Sequence, residues 1–310
     1  MKKRIKIVLI CLCVFVFAVA AHAKTEVTLN IITAPEVPEF TQKNMIARIS
    51  SMPAYKINTV YIPYDQKKHP ELTVLPAYYF SKELVKEPQT FRILKNGRLI
   101  TENWKAFRCL TYQIPPNTYE CGIYINKIKK GQMELFYRPF CPYGVKALIA
   151  LLDYHQQNPK IISSLNVVPL VKEKEMSFKS SKISLHQRYE MPKGFMELKE
   201  TVRQLVIYEY FPEKLLPYLK YRKKNNIRLP YWQDAAEKAG LIPETVSELC
   251  ALSGEMLLAR GIETRSRYPH ISASPTYVWQ NKYCYNYTSE LLQQPIFKDL
   301  KIDIGNNKSR

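Results

Sequence analysis

Cys141 stands in the stretch Phe140-Cys141-Pro142-Tyr143-Gly144. The apolar run Met133-Glu134-Leu135-Phe136-Tyr137 precedes it, and a helical pattern opening Val145-Lys146-Ala147-Leu148 follows. A cysteine at a turn from strand into helix aims its sulfur at backbone N–H groups without intrahelical partners and at the positive end of the helix dipole. Both favour thiolate over thiol, and the thiolate is the nucleophile. The same spacing sets a limit. Residue 144 is glycine, so no second sulfur stands three residues on to resolve a mixed disulfide from within the turn.

No other constellation competes with this one. His155 and His186 have no metal-like spacing with the cysteines, and surface or capping roles suit them better, so no metal is expected. Nine glycines in all leave no Gly-rich phosphate loop, a serine-nucleophile elbow is absent, and no cofactor is expected. The 22 tyrosines could line a peptide groove or fill core and strand positions. Asn286-Tyr287-Thr288 fits a glycosylation acceptor, which matters only in a eukaryotic secretory pathway.

The chain has 310 residues and 46% hydrophobic content, enough for two domains of ordinary size. Its start, Lys2, Lys3, Arg4 and Lys6 followed by the apolar run from Ile7 to Ala20 and the small-residue site Ala21-His22-Ala23, reads as a signal peptide over residues 1–23. No later segment approaches the roughly 18 apolar residues that a membrane-spanning helix needs. The mature chain is therefore expected to be exported, soluble, and periplasmic or extracellular. The net charge is +19, and taking away the leader's four basic residues leaves +15. Because Lys and Arg are dispersed, with only short clusters such as Lys127-Ile128-Lys129-Lys130, a nucleic-acid partner is not expected.

Five cysteines follow the leader: Cys109, Cys121, Cys141, Cys250 and Cys284. An odd count in an oxidising compartment implies at least one free or intermolecular thiol, and Cys141 is the natural one. Cys109 and Cys121 flank a loop containing Pro115-Pro116-Asn117, and a disulfide between them would staple a hairpin. Cys250 shares a helical face with Val246 and Leu257 and suits a small buried hydrophobe. Cys284 lies in a strand-like Tyr283-Cys284-Tyr285, and whether it pairs with Cys250 stays open.

The elements that must position Cys141 follow from the pattern. Met133 to Tyr137 reads as a strand, Val145 to Gln157 as a helix and Leu165 to Val171 as the next strand. A helical block follows over about 192–265, with Pro212 and Pro243 placed for the first turns of new helices. Strands resume at Ser274-Pro275-Thr276-Tyr277-Val278-Trp279 and Tyr283 to Tyr287, and Ser289 to Gln294 closes the unit as a helix. Upstream, Val27 to Ile32, Ile57 to Pro63 and a proline-interrupted Leu72 to Phe80 read as strands, Thr41 to Ser51 as a helix, and Asn96-Gly97 as a hairpin turn.

This second half, about residues 131–296, resembles thioredoxin-like proteins of the DsbA type, in which a helical subdomain is inserted into the thioredoxin fold. Cys141-Pro142-Tyr143-Gly144 matches the active-site turn, with Gly144 in place of the second cysteine. Ser274-Pro275-Thr276 matches the loop that carries a cis-proline in that superfamily. Residues 24–100 look like a degenerate copy of the same fold: Leu75-Pro76-Ala77-Tyr78 takes the place of the cis-proline loop, and Thr33 to Glu39 lacks the cysteines. The expected fold class is α/β, with two thioredoxin-like domains (24–100 and 131–310) joined by a connecting segment at 101–130.

The resemblance implies a thiol-disulfide oxidoreductase or isomerase with Cys141 as nucleophile, Pro142, Tyr143 and Gly144 as its turn, and Ser274, Pro275 and Thr276 as the substrate loop. Its partners would be protein or peptide thiols and disulfides, with a redox partner protein to complete a net cycle. The competing expectation is a non-catalytic peptide-binding or chaperone module on a thioredoxin scaffold. Neither reading sets an oligomeric state.

Overall fold

The structure is a computed structural model, and it describes residues 25–37, 55–70, 72–80, 100–101, 110–113, 122–175, 184–268, 271–286 and 288–302. The signal-peptide region, the Thr41–Ser51 helix, the Asn96-Gly97 turn, Cys109 and Cys121 lie outside the described residues.

Two mixed sheets carry the fold, and each has a strand paired in parallel with the next and antiparallel with a later one. In the first, β1 (Thr25–Thr33) pairs in parallel with β2 (Tyr55–Pro63), with Thr25 opposite Tyr55 and Thr33 opposite Pro63. Its other edge pairs antiparallel with β4 (Ala77–Phe80), Leu29 opposite Phe80. Then come β6 (Leu110–Gln113) and β5 (Ile100–Thr101), both antiparallel to their neighbours. The order is β2-β1-β4-β6-β5. The β-branched and apolar residues of β1 supply its buried side, with Leu29 and Ile31 wholly inaccessible to solvent.

The second sheet has the order β3-β7-β13-β12-β8-β9. Here β8 (Gln132–Tyr137) pairs in parallel with β9 (Ser164–Pro169) and antiparallel with β12 (Thr276–Trp279). β13 (Tyr283–Tyr285) follows antiparallel to β12. A parallel pair needs a crossover, and α1 (Pro142–Gln157) provides it between β8 and β9. Met133, Leu135, Phe136 and Tyr137 are all buried, as a strand covered on both faces requires. Glu134 between them is buried too, and Gln132 Nε2 at 2.8 Å and the Tyr268 hydroxyl donate to its carboxylate. Burial pushes the Glu134 carboxyl above its ordinary value despite those donors.

Between β9 and β12 the chain makes the short ribbon of β10 (Lys172–Glu173) and β11 (Tyr189–Glu190), with α2 (Leu185–Arg188) between them. It then enters the helical insertion: α3 (Phe195–Tyr210), α4 (Pro212–Lys224), α5 (Gln233–Lys238) and α6 (Pro243–Ser266). Pro212 and Pro243 each open a helix, where a missing N–H costs nothing. After β13 come α7 (Thr288–Leu292) and a 3₁₀ turn at Pro295–Phe297. Strand, helix, parallel strand, inserted helices and an antiparallel hairpin make this a thioredoxin-like α/β fold with a helical insertion.

Two sequence expectations change. Leu72 to Phe80 is not one interrupted strand. β3 (Val74–Leu75) pairs with β7 (Ile123–Tyr124) in the second sheet, while β4, starting two residues later, belongs to the first. Residues 101–130 also do more than connect, since β6 joins the first sheet and β7 the second. The chain thus crosses between sheets at Leu75-Pro76-Ala77, and Leu75–Pro76 is cis. Ile32, Val37, Leu72, Leu75, Ala77 and Ile123 bury one another around the crossing. Gly122 permits it, because a Cβ there would lie 2.2 Å from the Leu75 carbonyl oxygen.

Candidate thiol site

Cys141 is the N-cap of α1, extended at φ −86° and ψ 114°, with Pro142 opening the helix. Its amide donates to the Arg138 carbonyl at 3.1 Å and its carbonyl accepts from Val145 N at 3.0 Å. The turn is therefore closed on its own backbone, and the helix starts at a defined residue. The side chain caps no backbone N–H of α1. The partly buried sulfur instead donates to the Ser274 carbonyl oxygen at 3.2 Å.

The opposite wall is the loop before β12, where Ser274–Pro275 is cis. Three bonds join wall and turn or brace the wall. Arg138 N donates to Ser274 Oγ at 2.9 Å, and Arg138 Nη2 donates to the Ser272 carbonyl at 2.7 Å. Thr276, fully buried, donates through Oγ1 to the Ala273 carbonyl at 3.0 Å. The structure thus brings Cys141, Gly144 and Ser274 to one place, with Pro275 and Thr276 continuing from it into β12.

The helical insertion supplies the remaining supports. Glu197, a fully buried carboxylate on α3, accepts from Phe140 N at 3.2 Å and from Lys193 N at 2.9 Å. Arg228, in the loop after α4, donates to the Phe140 carbonyl at 3.4 Å. Tyr143 leaves 46% of its surface in solvent, so the turn presents an aromatic face beside the sulfur. Tyr277 on β12 is buried and its hydroxyl pairs with Thr288 Oγ1 at 2.8 Å. Burial holds its phenol well above the usual value against the opposing hydrogen bond with Thr288, so it stays neutral.

Gly144, the third residue of α1, has no room for a side chain. A Cβ there would lie 2.5 Å from Ser274 Oγ, 3.2 Å from the Arg138 carbonyl oxygen and 3.4 Å from Cys141 Cβ.

The other described cysteines are free thiols placed elsewhere. Cys284 is buried in β13 opposite Val278. Cys250 on α6 lines a cavity of about 420 Å³ with Leu198, Val202 and Trp232, and burial pushes its thiol up to about 11. Among the described residues no three His, Cys, Asp or Glu side chains gather as metal ligands, and no helix is long and apolar enough to cross a membrane. In the first sheet, Thr33 to Val37 follows β1 where the thiol turn follows β8, and Val37 closes that turn by donating to the Ala34 carbonyl at 3.0 Å.

Sequence reasoning named Cys141, Gly144 and Ser274 but missed Arg138, Glu197 and Arg228. Arg138 had a local signal, a charged residue between a buried strand and the cysteine. Glu197 and Arg228 had none, being 57 and 88 residues from the atoms of Phe140 that they meet.

No family model matches the chain, and no curated protein matches it. Solved structures overlap part of it. A candidate protein disulfide isomerase from Nitrosomonas europaea is 10% identical, covering 55% of this chain and 97% of its own at a TM-score of 0.37. The DsbA disulfide interchange protein of Klebsiella pneumoniae is 15% identical, with coverage of 52% and 78% and a TM-score of 0.33. SrgA of Salmonella enterica serovar Typhimurium is 14% identical, with coverage of 54% and 84% and a TM-score of 0.34. At scores this low, the fold rests on strand order and connection rather than on these overlaps.

Proposed function

We propose that this chain is an exported thiol-disulfide exchange protein that captures protein substrates through the single sulfur of Cys141. The observation that carries the reading is the placement of that sulfur. It sits at the N-terminal end of a 16-residue helix, reachable from solvent, 3.2 Å from the backbone of a loop whose next residues run into β12. A helix N-terminus carries the positive end of the helix dipole, and the thiolate is the attacking form of a cysteine.

The step balances as exchange. Cys141 Sγ forms a bond to one sulfur of a substrate disulfide, the substrate S–S bond breaks, and the released sulfur takes up a proton equivalent to the one Cys141 lost. No net oxidation or reduction occurs. A second thiol, on the substrate or on a partner, then attacks the mixed disulfide and returns Cys141 to the thiol. With a substrate thiol the net result is isomerisation. With a partner thiol the substrate sulfur passes into a disulfide with the partner, and a second thiol of that partner then releases the reduced substrate as the partner's own disulfide forms.

An extended protein segment suits the surroundings better than a small molecule. Tyr143 projects into solvent, and the loop that Arg228 ties to Phe140 carries Leu229 at 44% and Tyr231 at 74% exposure. Incubation with a disulfide-containing unfolded protein, followed by acid quenching and peptide mapping, should recover an adduct on Cys141. Cys141→Ser should yield no adduct. Capture that survives in Cys141→Ser would leave only the peptide-binding reading.

A further inference from the structure

Gly144 is not demanded by its backbone. It lies in the first turn of α1 without a positive φ, where other residues are accommodated as well. What excludes a side chain is space, and one atom takes most of it. Ser274 Oγ lies 2.5 Å from where the Cβ would be, whereas the next neighbour, the Arg138 carbonyl oxygen, is at 3.2 Å. That hydroxyl cannot swing away without loss, because it is the acceptor for Arg138 N at 2.9 Å. An amide deprived of its partner in a partly buried turn is costly.

We infer that Ser274 is the positioning residue that keeps this site single-thiol: its hydroxyl fills the volume a side chain at 144 would need, so the thiol that releases a captured substrate must come from outside the turn. The inference rests on the reading of Cys141 as the capturing sulfur. It adds a reason why the turn holds one sulfur: the fold is adapted to one, through a contact spanning 130 residues of sequence. Ser274 acts in two directions. Its carbonyl oxygen faces the reactive sulfur, and its hydroxyl holds the turn that carries that sulfur.

The alternative is that glycine simply replaced a cysteine and the site would still accept one. The two differ in how Gly144→Cys depends on residue 274. In Ser274→Ala the hydroxyl is gone, and the tightest remaining contact for a Cβ at 144 is the 3.2 Å approach to Arg138 O, which a shift of a few tenths of an ångström relieves.

The test measures the melting temperatures of Gly144→Ala and of Gly144→Cys held reduced, each in the native and the Ser274→Ala background, because the clash is with the Cβ and is present whether or not a disulfide forms. Coupling between contacting residues leads us to expect a loss of several degrees for either substitution beside Ser274, and less than about half that loss in Ser274→Ala relative to Ser274→Ala alone. Recovery of the loss by Ser274→Ala supports the inference, and an undiminished loss overturns it. No substrate enters either measurement, so the interlock can fail while capture by Cys141 stands, and the reverse.

Discussion

Each of the three described thiols meets a different environment, and that predicts their order of reaction. Burial raises the Cys250 thiol to about 11, so at pH 7.5 only a very small fraction is thiolate. Cys284 is buried in a strand with 1% exposure. Cys141 is reachable and stands at a helix N-terminus. Alkylation with iodoacetamide at pH 7.5, mapped by mass, should therefore mark Cys141 first. The sign for Cys250 follows from its raised value: its rate should climb about tenfold per pH unit from 7 to 10 and level off only near 11. Equal labelling of Cys141 and Cys250 at pH 7.5 would contradict this ordering. At this scale the sequence was most legible where the chemistry is local, as in a cysteine, a proline and a glycine at a strand-to-helix turn. It was silent on Glu197, because a carboxylate that receives Phe140 N from another helix leaves no mark in the residues around it.

Among the elements, the helical insertion holds the thiol turn through a buried polar network. Arg222 on α4 is 2% exposed. It donates to the carbonyls of Ile227, Leu229 and Tyr231 at 2.5, 2.9 and 2.8 Å, and to Glu200 on α3 at 3.4 Å. Glu200 also receives Tyr218 at 3.0 Å and Gln204 at 2.9 Å, and Gln204 in turn receives the Tyr137 hydroxyl of β8 at 2.9 Å. Insertion and sheet are thus one hydrogen-bonded body. Arg222→Ala would leave three carbonyls without their donor, while Glu200 keeps Arg203, Tyr218 and Gln204, a loss of about 1–3 kcal/mol for each buried group left unsatisfied. Denaturant unfolding should show that loss, and because residue 228 lies in the same loop, Cys141 should become more open to alkylation. A loss under about 1 kcal/mol would show the network to be dispensable. The helices themselves were readable from apolar spacing and from Pro212 and Pro243. The division of Leu72 to Phe80 between two sheets was not, since strand patterning shows which residues are buried and not which sheet buries them.

Across the whole molecule, each sheet has a strand paired in parallel on one side and antiparallel on the other, and the chain passes from one sheet to the other at Leu75-Pro76-Ala77 with Ile123 packed against the crossing. Lys282 beside β13 reaches Glu36 after β1 at 3.2 Å, and Glu36's own backbone amide, then Lys282, hold its carboxyl below the usual range. The residues after β1, Ala34 to Val37, include no cysteine whereas the turn after β8 holds Cys141, so the proposed chemistry is concentrated at one point of a large scaffold. Its central claim is capture by one sulfur with no resolving thiol in the turn. The most direct measurement follows the acid-quenched mixed disulfide between Cys141 and a substrate that has a single disulfide, with and without an added small thiol. Exchange chemistry predicts that, once the released substrate thiol is blocked by alkylation, the adduct stands until thiol is added, and that its decay rate is then proportional to thiol concentration. Rapid decay at a rate independent of added thiol, with the second sulfur mapped within this chain, would contradict the account.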